Sequence, residues 1–380
     1  MKNRLIFSLI YIILFSCTNE RQSDKSVINL VSITDKEIPN TLQSLKLKPS
    51  VIQLETLDSV LLGGNSIIKY LDRSNIIVES NQQLYRFDIN GKYLNKIGQR
   101  GQGPNDYLAP GRVSYDALNE DLYLFNNKRL QIWSLEGQHI KNIDFPDKTT
   151  LLSISSLKND TLIIIRREYG NEGEAVQTIQ FGNLEGKIFC EKTMFADSTK
   201  IDIMMYATPE HYRIGTDEYI RNEWDNTLYK INYSNIEKLK ELDFGSYTGG
   251  REHYQEGDLR KQLGNNKVNL TQCLFSNDKL WIKYRLDNKE HYLILNEDGE
   301  GLFQSIYPDD YIGPIGIRIV DELEFSFWPQ YVTDDNILVS LIMPGTLNEE
   351  ELSYIYDHFG VKITNEDNPI LILLDYKTEF

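Results

Sequence analysis

The sequence predicts an all-β fold, a six-bladed β-propeller with four-stranded blades in which an N-terminal strand closes the last blade. Two observations carry this prediction. Short strand-like runs recur in the same order along the chain, while long helical periodicity is scarce. The residues that mark equivalent turns, Gly91, Gly137, Gly186, Asn235 and Gly299, lie 46, 49, 49 and 64 residues apart. A four-stranded blade takes up roughly 40–50 residues, so each interval is long enough for one blade.

Five repeat units account for the first five blades. In each unit the last two strand-like runs are joined by a short turn such as Asn90-Gly91 or Asp298-Gly299, residues that favour tight hairpins because they tolerate positive φ. Several runs are apolar on both faces, which suits a sheet packed between two neighbouring blades. The predicted strands lie at 76–79, 83–88 and 93–97; 121–125, 130–134 and 139–143; 160–165, 176–180 and 187–189; 218–221, 227–231 and 239–242; and 279–284, 291–295 and 302–306.

The sixth unit is incomplete, and this predicts how the ring closes. Residues 336–342 and 369–376 supply two strands, but no outer strand follows them before Phe380. The strand predicted at 51–56 belongs to no repeat unit, so we expect it to take that outer position. Closure of this kind joins the two ends of the chain in one sheet and removes exposed sheet edges.

Two short helical insertions are expected. Asn348 predicts an N-cap with Glu351 as its partner, because a capping box has this spacing. Apolar residues at 352, 355, 356 and 359 then share one helical face, and Gly360 ends the run. The charged stretch 251–268 predicts a second helix or a long loop between blades four and five, with a plain solvated surface as the alternative.

The N-terminal residues predict export. Lys2 and Arg4 precede an apolar run at 5–15, which is too short to span a bilayer but suits the core of a signal peptide. Leu14-Phe15-Ser16-Cys17 resembles a bacterial lipobox, in which the cysteine is lipidated and becomes the first residue after cleavage. The alternative is a plain secretory signal with an incidental cysteine.

These features divide the chain into three parts. We expect a lipoprotein signal peptide at 1–16, a flexible tether at 17–45 that begins with the lipidated Cys17, and the propeller at 46–380. The expected location is the cell envelope, at the outer membrane and on its periplasmic or surface face. Membrane contact is expected through the lipid anchor alone, and the propeller is expected to be a monomer.

Charge and cysteine content narrow the functional classes. Acidic residues outnumber basic ones by 56 to 40, a formal net charge of −16, which argues against nucleic acid and anionic lipid surfaces as partners. Besides Cys17, the chain contains Cys190 and Cys273, which do not have the spacing of a metal site or of a redox motif. We expect two separate buried strand cysteines, with a disulfide between them as the alternative.

A glycine-rich stretch at 97–107 directly follows the first repeat unit. It cannot be a regular strand or helix, because glycine is conformationally loose and proline lacks an amide donor. It has no Gly-Lys-Ser/Thr ending and no Gly-x-Gly-x-x-Gly order, so a nucleotide site is not expected. We expect a shaped loop between two blades, with Gly101 and Gly103 in positive φ or in close contact with a neighbour. Its structural residues are Gly98, Gly101, Gly103 and Pro104.

The run 87–107 resembles a signature of six-bladed β-propeller lipoproteins of Bacteroidetes, Phe-Asp-x-x-Gly-Lys and then Ile-Gly-x-x-Gly-Gln-Gly-Pro-x-Glu-Tyr. Residues 224–229, Trp-Asp-Asn-Thr-Leu-Tyr, are similar to their Phe-Asn-Asp-Thr-Ile-Tyr motif, and 367–371 to their Asp-Asn-Pro-Val-Leu ending. Asp106 stands where the family more often has Glu, and Asp225-Asn226 reverses the family order. The resemblance covers about residue 50 to the C-terminus and implies fold and envelope location, but no activity.

Candidate binding residues lie in the segments that connect blades, where propellers usually place binding groups. Arginine and aromatic side chains around a concave mouth suit a glycan, a peptide or an anionic small molecule. The alternative is that Arg100 and Asp106 pair to brace their own loop and that the aromatic residues pack between blades. The candidates are Arg100, Asp106, Tyr107, Arg112, Arg221, Glu223, Trp224 and Trp328.

No catalytic, metal or cofactor motif is recognisable. The sequence lacks Gly-x-Ser-x-Gly, and its five histidines lack His-Glu-x-x-His spacing. We therefore expect no catalytic residue, metal or cofactor, and a non-catalytic binding or scaffolding module for glycans or partner proteins. The alternative is a carbohydrate-active or hydrolytic propeller enzyme whose site is assembled from the loops of several blades.

Overall fold

The chain folds into a six-bladed β-propeller, as predicted. The computed structural model describes residues 26–31, 45, 47–116, 119–126, 129–144, 149–156, 161–169, 175–197, 210–221, 226–232, 235–248, 267–308, 315–319 and 326–375. Among these residues, no helix is long and apolar enough to cross a membrane.

Strands dominate the described structure. In chain order they are β1 (Val27–Asn29), β2 (Lys48–Gln53), β3 (Ile67–Leu71), β4 (Asn75–Ser80), β5 (Gln83–Asp88), β6 (Tyr93–Ile97), β7 (Arg112–Asp116), β8 (Asp121–Asn126), β9 (Arg129–Ser134), β10 (His139–Asp144), β11 (Thr149–Ser156), β12 (Thr161–Tyr169), β13 (Ala175–Asn183), β14 (Ile188–Asp197), β15 (Glu210–Ile214), β16 (Asp217–Arg221), β17 (Thr227–Asn232), β18 (Asn235–Asp243), β19 (Asn269–Ser276), β20 (Lys279–Leu286), β21 (Lys289–Asn296), β22 (Gly301–Pro308), β23 (Ile317–Arg318), β24 (Ser326–Phe327), β25 (Tyr331–Val332), β26 (Leu338–Ile342) and β27 (Ile370–Asp375).

Each blade is built on four antiparallel strands, which are consecutive in the chain in every blade except the sixth, where the ring closes. Blades one to five are β3–β6, β7–β10, β11–β14, β15–β18 and β19–β22, and blade six has the order β2-β27-β26-β25. The short pair β23–β24 lies between blades five and six in the sequence. The central strands are buried on both faces, as the three fully buried residues Ile76, Ile77 and Val78 of β4 illustrate.

The repeated glycine turns have the geometry that the sequence predicts. Gly91, Gly137, Gly186 and Gly299 have φ of 82°, 86°, 81° and 87°, a region that L side chains rarely adopt. In blade one the Asp88 carboxylate also accepts the amide hydrogens of the turn, at 2.9 Å from the Asn90 nitrogen. Local backbone preference therefore sets the hairpin that ends each of these blades.

The ring closes between the two ends of the chain, as predicted. β2 pairs antiparallel with β27, from Lys48 opposite Asp375 to Gln53 opposite Ile370. The buried Asn368 fastens this seam: its Oδ1 accepts from the Leu62 amide at 2.8 Å. Its Nδ2 donates to the carbonyl oxygens of Glu55 and Val60 at 2.8 and 2.7 Å. The similarity noted at 367–371 thus falls on a residue that joins both ends of the ring.

The helix predicted in blade six is present as α1 (Glu349–Phe359). Asn348 is its N-cap, and Glu351 completes a capping box with it. Gly360 ends the helix in the left-handed conformation, with φ of 69°. Most of the stretch 251–268, where the second insertion was expected, lies outside the described residues.

The predicted tether contains a strand that the sequence reasoning missed. β1 pairs in parallel with β18 and becomes a fifth strand of blade four. Apolar contacts hold this strand in place. Ile28 and Leu30 lie two residues apart, so they point to the same side, and both are buried between blades four and five. Residues 26–31 therefore correct the prediction of a flexible tether, since the run Val-Ile-Asn-Leu-Val at 27–31 supplies a short strand within an otherwise polar segment. Leu45 is also buried, and Cys17 and the signal peptide lie outside the described residues.

The two remaining cysteines are separate. Cys190 lies in β14 of blade three, and Cys273 is buried in β19 of blade five, with both thiols free. Burial raises the pKa of the Cys273 thiol to about 12. The expectation of two unpaired strand cysteines is confirmed, but burial holds for Cys273 alone, because Cys190 is partly exposed.

Candidate functional site: the central cavity

The blades surround a central cavity of about 250 Å³. The first strand of every blade contributes to its wall, namely β3, β7, β11, β15, β19 and β25. A propeller directs these strands toward the ring axis, so their side chains converge although they are far apart in the sequence. The volume lies just below the range of about 300–1,000 Å³ typical of small-molecule sites, which favours a small ligand.

One wall of the central cavity carries a continuous chain of polar side chains. Ser153 Oγ lies 2.6 Å from His211 Nδ1, and His211 Nε2 lies 2.8 Å from Glu218 Oε2. The second carboxylate oxygen of Glu218 accepts from Ser155 Oγ. At the other end, Arg112 Nη1 donates to Ser153 Oγ at 3.3 Å. Blades two, three and four each supply part of this chain.

The hydrogen-bonded side chains on this wall are buried although they border the cavity. The side chains of His211 and Glu218 are 3% and 1% exposed. Ser153 is 2% exposed and Ser155 is 6% exposed. Burial of this kind is costly for an ionised carboxylate unless it is hydrogen-bonded, and Glu218 meets that condition through two donors. The arrangement can bind a polar ligand or pass a proton.

Ion pairs balance the charge of the remaining wall. Arg213 Nε donates to Asp334 Oδ2 at 3.0 Å. Burial raises the pKa of Asp334 above its usual value, although the Arg213 guanidinium acts in the opposite direction. Lys69 pairs with Glu79 at 2.6 Å. The cavity therefore presents donors and acceptors together rather than one sign of charge.

Tyrosines supply the aromatic part of the wall. Tyr70, Tyr115, Tyr212 and Tyr331 all line the cavity, and the rings of Tyr70 and Tyr115 lie with their centroids 4.6 Å apart. Burial raises the pKa of Tyr115 to about 12, so its hydroxyl is protonated at neutral pH. Among the described residues, this hydroxyl has no protein hydrogen-bond partner, and it is available to a ligand.

The glycine-rich loop (97–107) lies outside this cavity. Its carbonyl oxygens are tied to the outer strands of blade two, because Gln131 Nε2 donates to Asp106 O at 3.1 Å and Asn142 Nδ2 to Pro104 O at 3.4 Å. Arg100 is exposed and is absent from the cavity wall. Within the described part of the chain, its guanidinium makes no ion pair with Asp106.

Asp106 shapes this loop from within. Its Oδ2 accepts from the Gly103 amide at 2.9 Å. A Cβ at Gly101 or Gly103 would lie 2.1 or 2.8 Å from the same oxygen. Glycine at both positions therefore lets the backbone approach the Asp106 carboxylate closely. The expectation of a tight approach is met at these two glycines, whereas positive φ occurs at Gly98, with a value of 62°.

Tyr107 is a packing residue of the loop. It is 2% exposed, and its ring meets Trp133 edge to face with centroids 6.0 Å apart. Its hydroxyl donates to Ile97 O at 2.7 Å and accepts from the Leu84 amide at 3.1 Å. Tyr107 therefore joins the loop to blade one and has no free face for a ligand.

The other candidates are spread over three places. Arg112 lines the central cavity. Arg221 is buried and pairs with Glu210 at 3.0 Å, so it supports the sheet next to the cavity. Glu223 and Trp224 lie outside the described residues.

Trp328 lies beside a second cavity, of about 830 Å³, between blades five and six. Its indole donates to Gln272 Oε1 at 2.6 Å, and its ring meets Tyr292 with centroids 4.8 Å apart. This side chain is 8% exposed and belongs mainly to the core. The structure thus brings Arg112, but none of the other described candidates, to the central cavity.

Sequence reasoning missed Ser153, His211 and Glu218. A local signal existed for two of them, because His211 and Glu218 flank a short turn at Gly215 and lie diagonally across the β15–β16 hairpin. Ser153 is 58 residues before His211, and no local pattern connects them. Across the described residues, no group of three or more metal-ligating side chains is positioned to hold a metal ion.

Comparison with known proteins places the fold but names no activity. No curated protein has significant sequence similarity to this chain. A protein of Bacteroides fragilis NCTC 9343 that is named as an exported protein has a similar structure, with a TM-score of 0.68 and 16% identity over 93% of this chain and 100% of that chain. At this identity the likeness shows the fold alone.

Two further solved structures are more distant. Virginiamycin B lyase from Staphylococcus aureus has a TM-score of 0.35 and 13% identity, covering 69% of this chain and 74% of that chain. The WD40 domain of SCAP from fission yeast has a TM-score of 0.33 and 10% identity, covering 88% of this chain and 99% of that chain. Scores this low carry no functional argument. Residues 25–375 match the family described as "Domain of unknown function (DUF4934)", and since the match spans nearly the whole described chain, the protein belongs to that family.

Proposed function

We propose that the protein is a lipid-anchored binding module of the bacterial cell envelope and that its ligand, a small glycan, occupies the central cavity. The observation that carries this proposal is the convergence of polar and tyrosine side chains from five of the six blades on one cavity of about 250 Å³, with Leu274 as the contribution of blade five. In this proposal the propeller positions the cavity wall and the N-terminal lipid holds the module at the outer membrane. Partner proteins or peptides are the competing ligand class.

The chemistry of the wall favours a glycan. Sugar hydroxyls both donate and accept hydrogen bonds, and the cavity offers Arg112 as a donor together with the Tyr115 hydroxyl, which can donate and accept. Tyrosine rings can pack against the apolar faces of a sugar while their hydroxyls bind its polar groups. A strongly anionic ligand is less suited, because acidic groups on the wall offset the arginines and the lysine.

Export and anchoring rest on the N-terminal sequence and on the relative named as an exported protein. The apolar run at 5–15 and the Cys17 context support a lipidated N-terminus. Metabolic labelling with a fatty-acid analogue should mark the wild-type protein, and Cys17→Ala should remove both the label and the membrane association. A Cys17→Ala protein that keeps the label would contradict the anchoring proposal.

Binding can be tested with the purified protein on an oligosaccharide array, followed by calorimetry with any glycan that is retained. Arg112→Met should weaken binding about tenfold or more, corresponding to about 1.4 kcal/mol. Arg129→Met is a matched control, because Arg129 is an exposed arginine that pairs with Asp144 on blade two. Retention of peptides rather than glycans would change the ligand class, and equal binding by both variants would contradict the central cavity as the site.

A further inference from the structure

The polar chain on the cavity wall has the order of a nucleophile, a base and an orienting carboxylate. Ser153 Oγ is within hydrogen-bond distance of His211, at 2.6 Å, and the opposite ring nitrogen of His211 is 2.8 Å from Glu218. Activated serine nucleophiles are recognised by this geometry rather than by sequence position. Here the serine lies at Nδ1 and the carboxylate at Nε2.

The carboxylate decides which tautomer of His211 is present. An ionised Glu218 can only accept hydrogen bonds, so His211 Nε2 carries a hydrogen and donates it to Oε2. In the neutral ring Nδ1 is then an acceptor, and the Ser153 hydroxyl donates to it. This is the protonation state in which Nδ1 can take the hydroxyl proton. Ser155, which donates to the other oxygen of Glu218, keeps the carboxylate in place.

The fold alone does not require this buried network of Ser153, His211 and Glu218. Replacing a buried polar network by apolar residues is often neutral or stabilising, whereas a partly satisfied network is costly. Other buried charges near the cavity form direct ion pairs, as Arg221 does with Glu210 at 3.0 Å. The chain of Glu218 and His211 instead ends at a serine on the cavity wall, with the cationic Arg112 next to that serine.

We propose that the central cavity hydrolyses small carboxylic esters, such as an acetyl group carried on a sugar hydroxyl, with Ser153 as nucleophile and His211 as general base. This inference rests on the proposed function, because it places the acylated glycan in the same cavity. The cavity volume of about 250 Å³ limits the acyl group to a small one. Glu218 is a positioning residue that acts through His211.

The reaction balances without a cofactor. The Ser153 hydroxyl proton moves to His211 Nδ1 as Oγ bonds to the carbonyl carbon, and the carbonyl electron pair moves to its oxygen. That intermediate collapses, the ester C–O bond breaks, and Nδ1 returns the proton to the leaving alcohol oxygen. Solvent water then attacks the acyl carbon and gives a proton to Nδ1. The bond between the acyl carbon and Oγ breaks, Nδ1 returns the proton to Oγ, and the carboxylic acid leaves.

Arg112 is placed to stabilise the negative charge that develops in this step. Its guanidinium already donates to the attacking oxygen at 3.3 Å and has five N–H donors in all. A fixed cation beside a developing oxyanion in a water-poor site is one of the strongest contributions to catalysis. The same arginine would also bind the glycan, so the test below does not depend on its substitution.

The first test uses the full purified protein, 4-nitrophenyl acetate as substrate and a fluorophosphonate probe that reacts with activated serines. We expect a covalent adduct on Ser153 by mass spectrometry and loss of turnover to the background rate in Ser153→Ala. The matched control is Ser353→Ala, because Ser353 is an exposed serine on α1, away from the cavity. Absence of an adduct on Ser153, or turnover that persists in Ser153→Ala, would overturn the proposal.

The second test asks whether Glu218 acts through His211. Glu218→Gln should lower kcat by roughly 10²–10⁴-fold with little change in KM, because the amide no longer fixes the tautomer of His211. The separation of kcat from KM is the decisive readout, because a purely structural role would not lower kcat per folded molecule. A variant with an unchanged kcat and a reduced thermal midpoint would mean that Glu218 only supports the fold.

Calorimetry separates failure of this inference from failure of the proposed function. If the wild-type protein and Ser153→Ala bind a glycan equally and neither shows turnover, hydrolysis is wrong and the binding function stands. If no glycan binds but the ester is cleaved at Ser153, the catalytic assignment stands and the glycan assignment is wrong.

Discussion

The glycine-rich loop and the central cavity use similar residues for opposite purposes. Both contain arginine, aspartate or glutamate, and tyrosine. In the loop, the hydroxyl of Tyr107 and the carboxylate of Asp106 are hydrogen-bonded within the loop or to its own blade. In the cavity, side chains from all six blades converge on open space, and the Tyr115 hydroxyl has no protein partner among the described residues.

This difference shows why a conspicuous motif need not mark a binding site. The loop is conspicuous because its conformation needs particular residues at fixed local spacing, with three glycines within six residues. The residues of the cavity wall need no fixed spacing in the sequence, because closure of the ring brings distant strands together. If the comparison is correct, changes in the loop should alter stability without altering ligand binding, and changes in the cavity should do the reverse.

Gly98→Ala should have the largest effect on stability. The Gly98 φ is 62°, and an added Cβ would lie 2.8 Å from the rings of both Trp133 and Tyr107. Positive φ costs about 1 kcal/mol and overpacking adds about 1–3 kcal/mol, so we expect a loss of about 3 kcal/mol in urea unfolding. Gly186→Ala measures the cost of positive φ without overpacking, because Gly186 has a φ of 81° and no neighbour within 4 Å of the added Cβ. Equal losses at the two positions would mean that the contact with Trp133 is not rigid.

Tyr107→Phe and Tyr115→Phe compare the two regions directly. Removing the Tyr107 hydroxyl leaves the buried Leu84 amide without its partner at 3.1 Å, which should cost about 1–3 kcal/mol. Removing the Tyr115 hydroxyl should cost less than about 0.5 kcal/mol, because no described protein group loses a hydrogen bond. Ligand affinity should fall in Tyr115→Phe and stay close to the wild-type value in Tyr107→Phe. Reduced affinity in Tyr107→Phe with normal affinity in Tyr115→Phe would reverse the assignment of the two regions.

The fold was predictable because its signals are local. Turn glycines at blade-length intervals, a strand at 51–56 without a repeat unit, and the Asn348–Glu351 spacing each depend on a few neighbouring residues. β1 was missed although residues 27–31 read Val-Ile-Asn-Leu-Val, because this strand-like run is short and belongs to no repeat unit, and the segment 17–45 around it is mostly polar.

The site was less predictable because its contacts are long-range. Arg112 was identified through its position at the start of a strand, whereas Ser153 and His211 are joined only by the packing of neighbouring blades. Their 2.6 Å contact connects residues 58 positions apart. The absence of a local catalytic motif therefore gave no information about a proton relay assembled by the ring.

Gly101→Ala tests the internal bracing of the loop and should have a moderate effect. The added Cβ would lie 2.1 Å from Asp106 Oδ2, so the carboxylate must move and lose its hydrogen bond to the Gly103 amide. We expect a loss of about 1 kcal/mol in urea unfolding. Gly64→Ala is the matched control, because nothing lies within 4 Å of its added Cβ, and it should be neutral or stabilising by up to about 1 kcal/mol. Equal effects at both positions would show that Asp106 moves freely and does not brace the loop.

Arg100→Ala should have the smallest effect of all. Arg100 is exposed, it is absent from the wall of the central cavity, and no described carboxylate pairs with it. Surface substitutions of this kind usually change stability by less than about 0.5 kcal/mol, so neither the bracing role nor the binding role expected for this side chain should be detected. Urea unfolding and glycan calorimetry on the same preparation, with Arg112→Met alongside, measure both roles. A tenfold loss of affinity in Arg100→Ala without a change in stability would mean that the ligand extends from the central cavity across the glycine-rich loop, so that the two regions form one site.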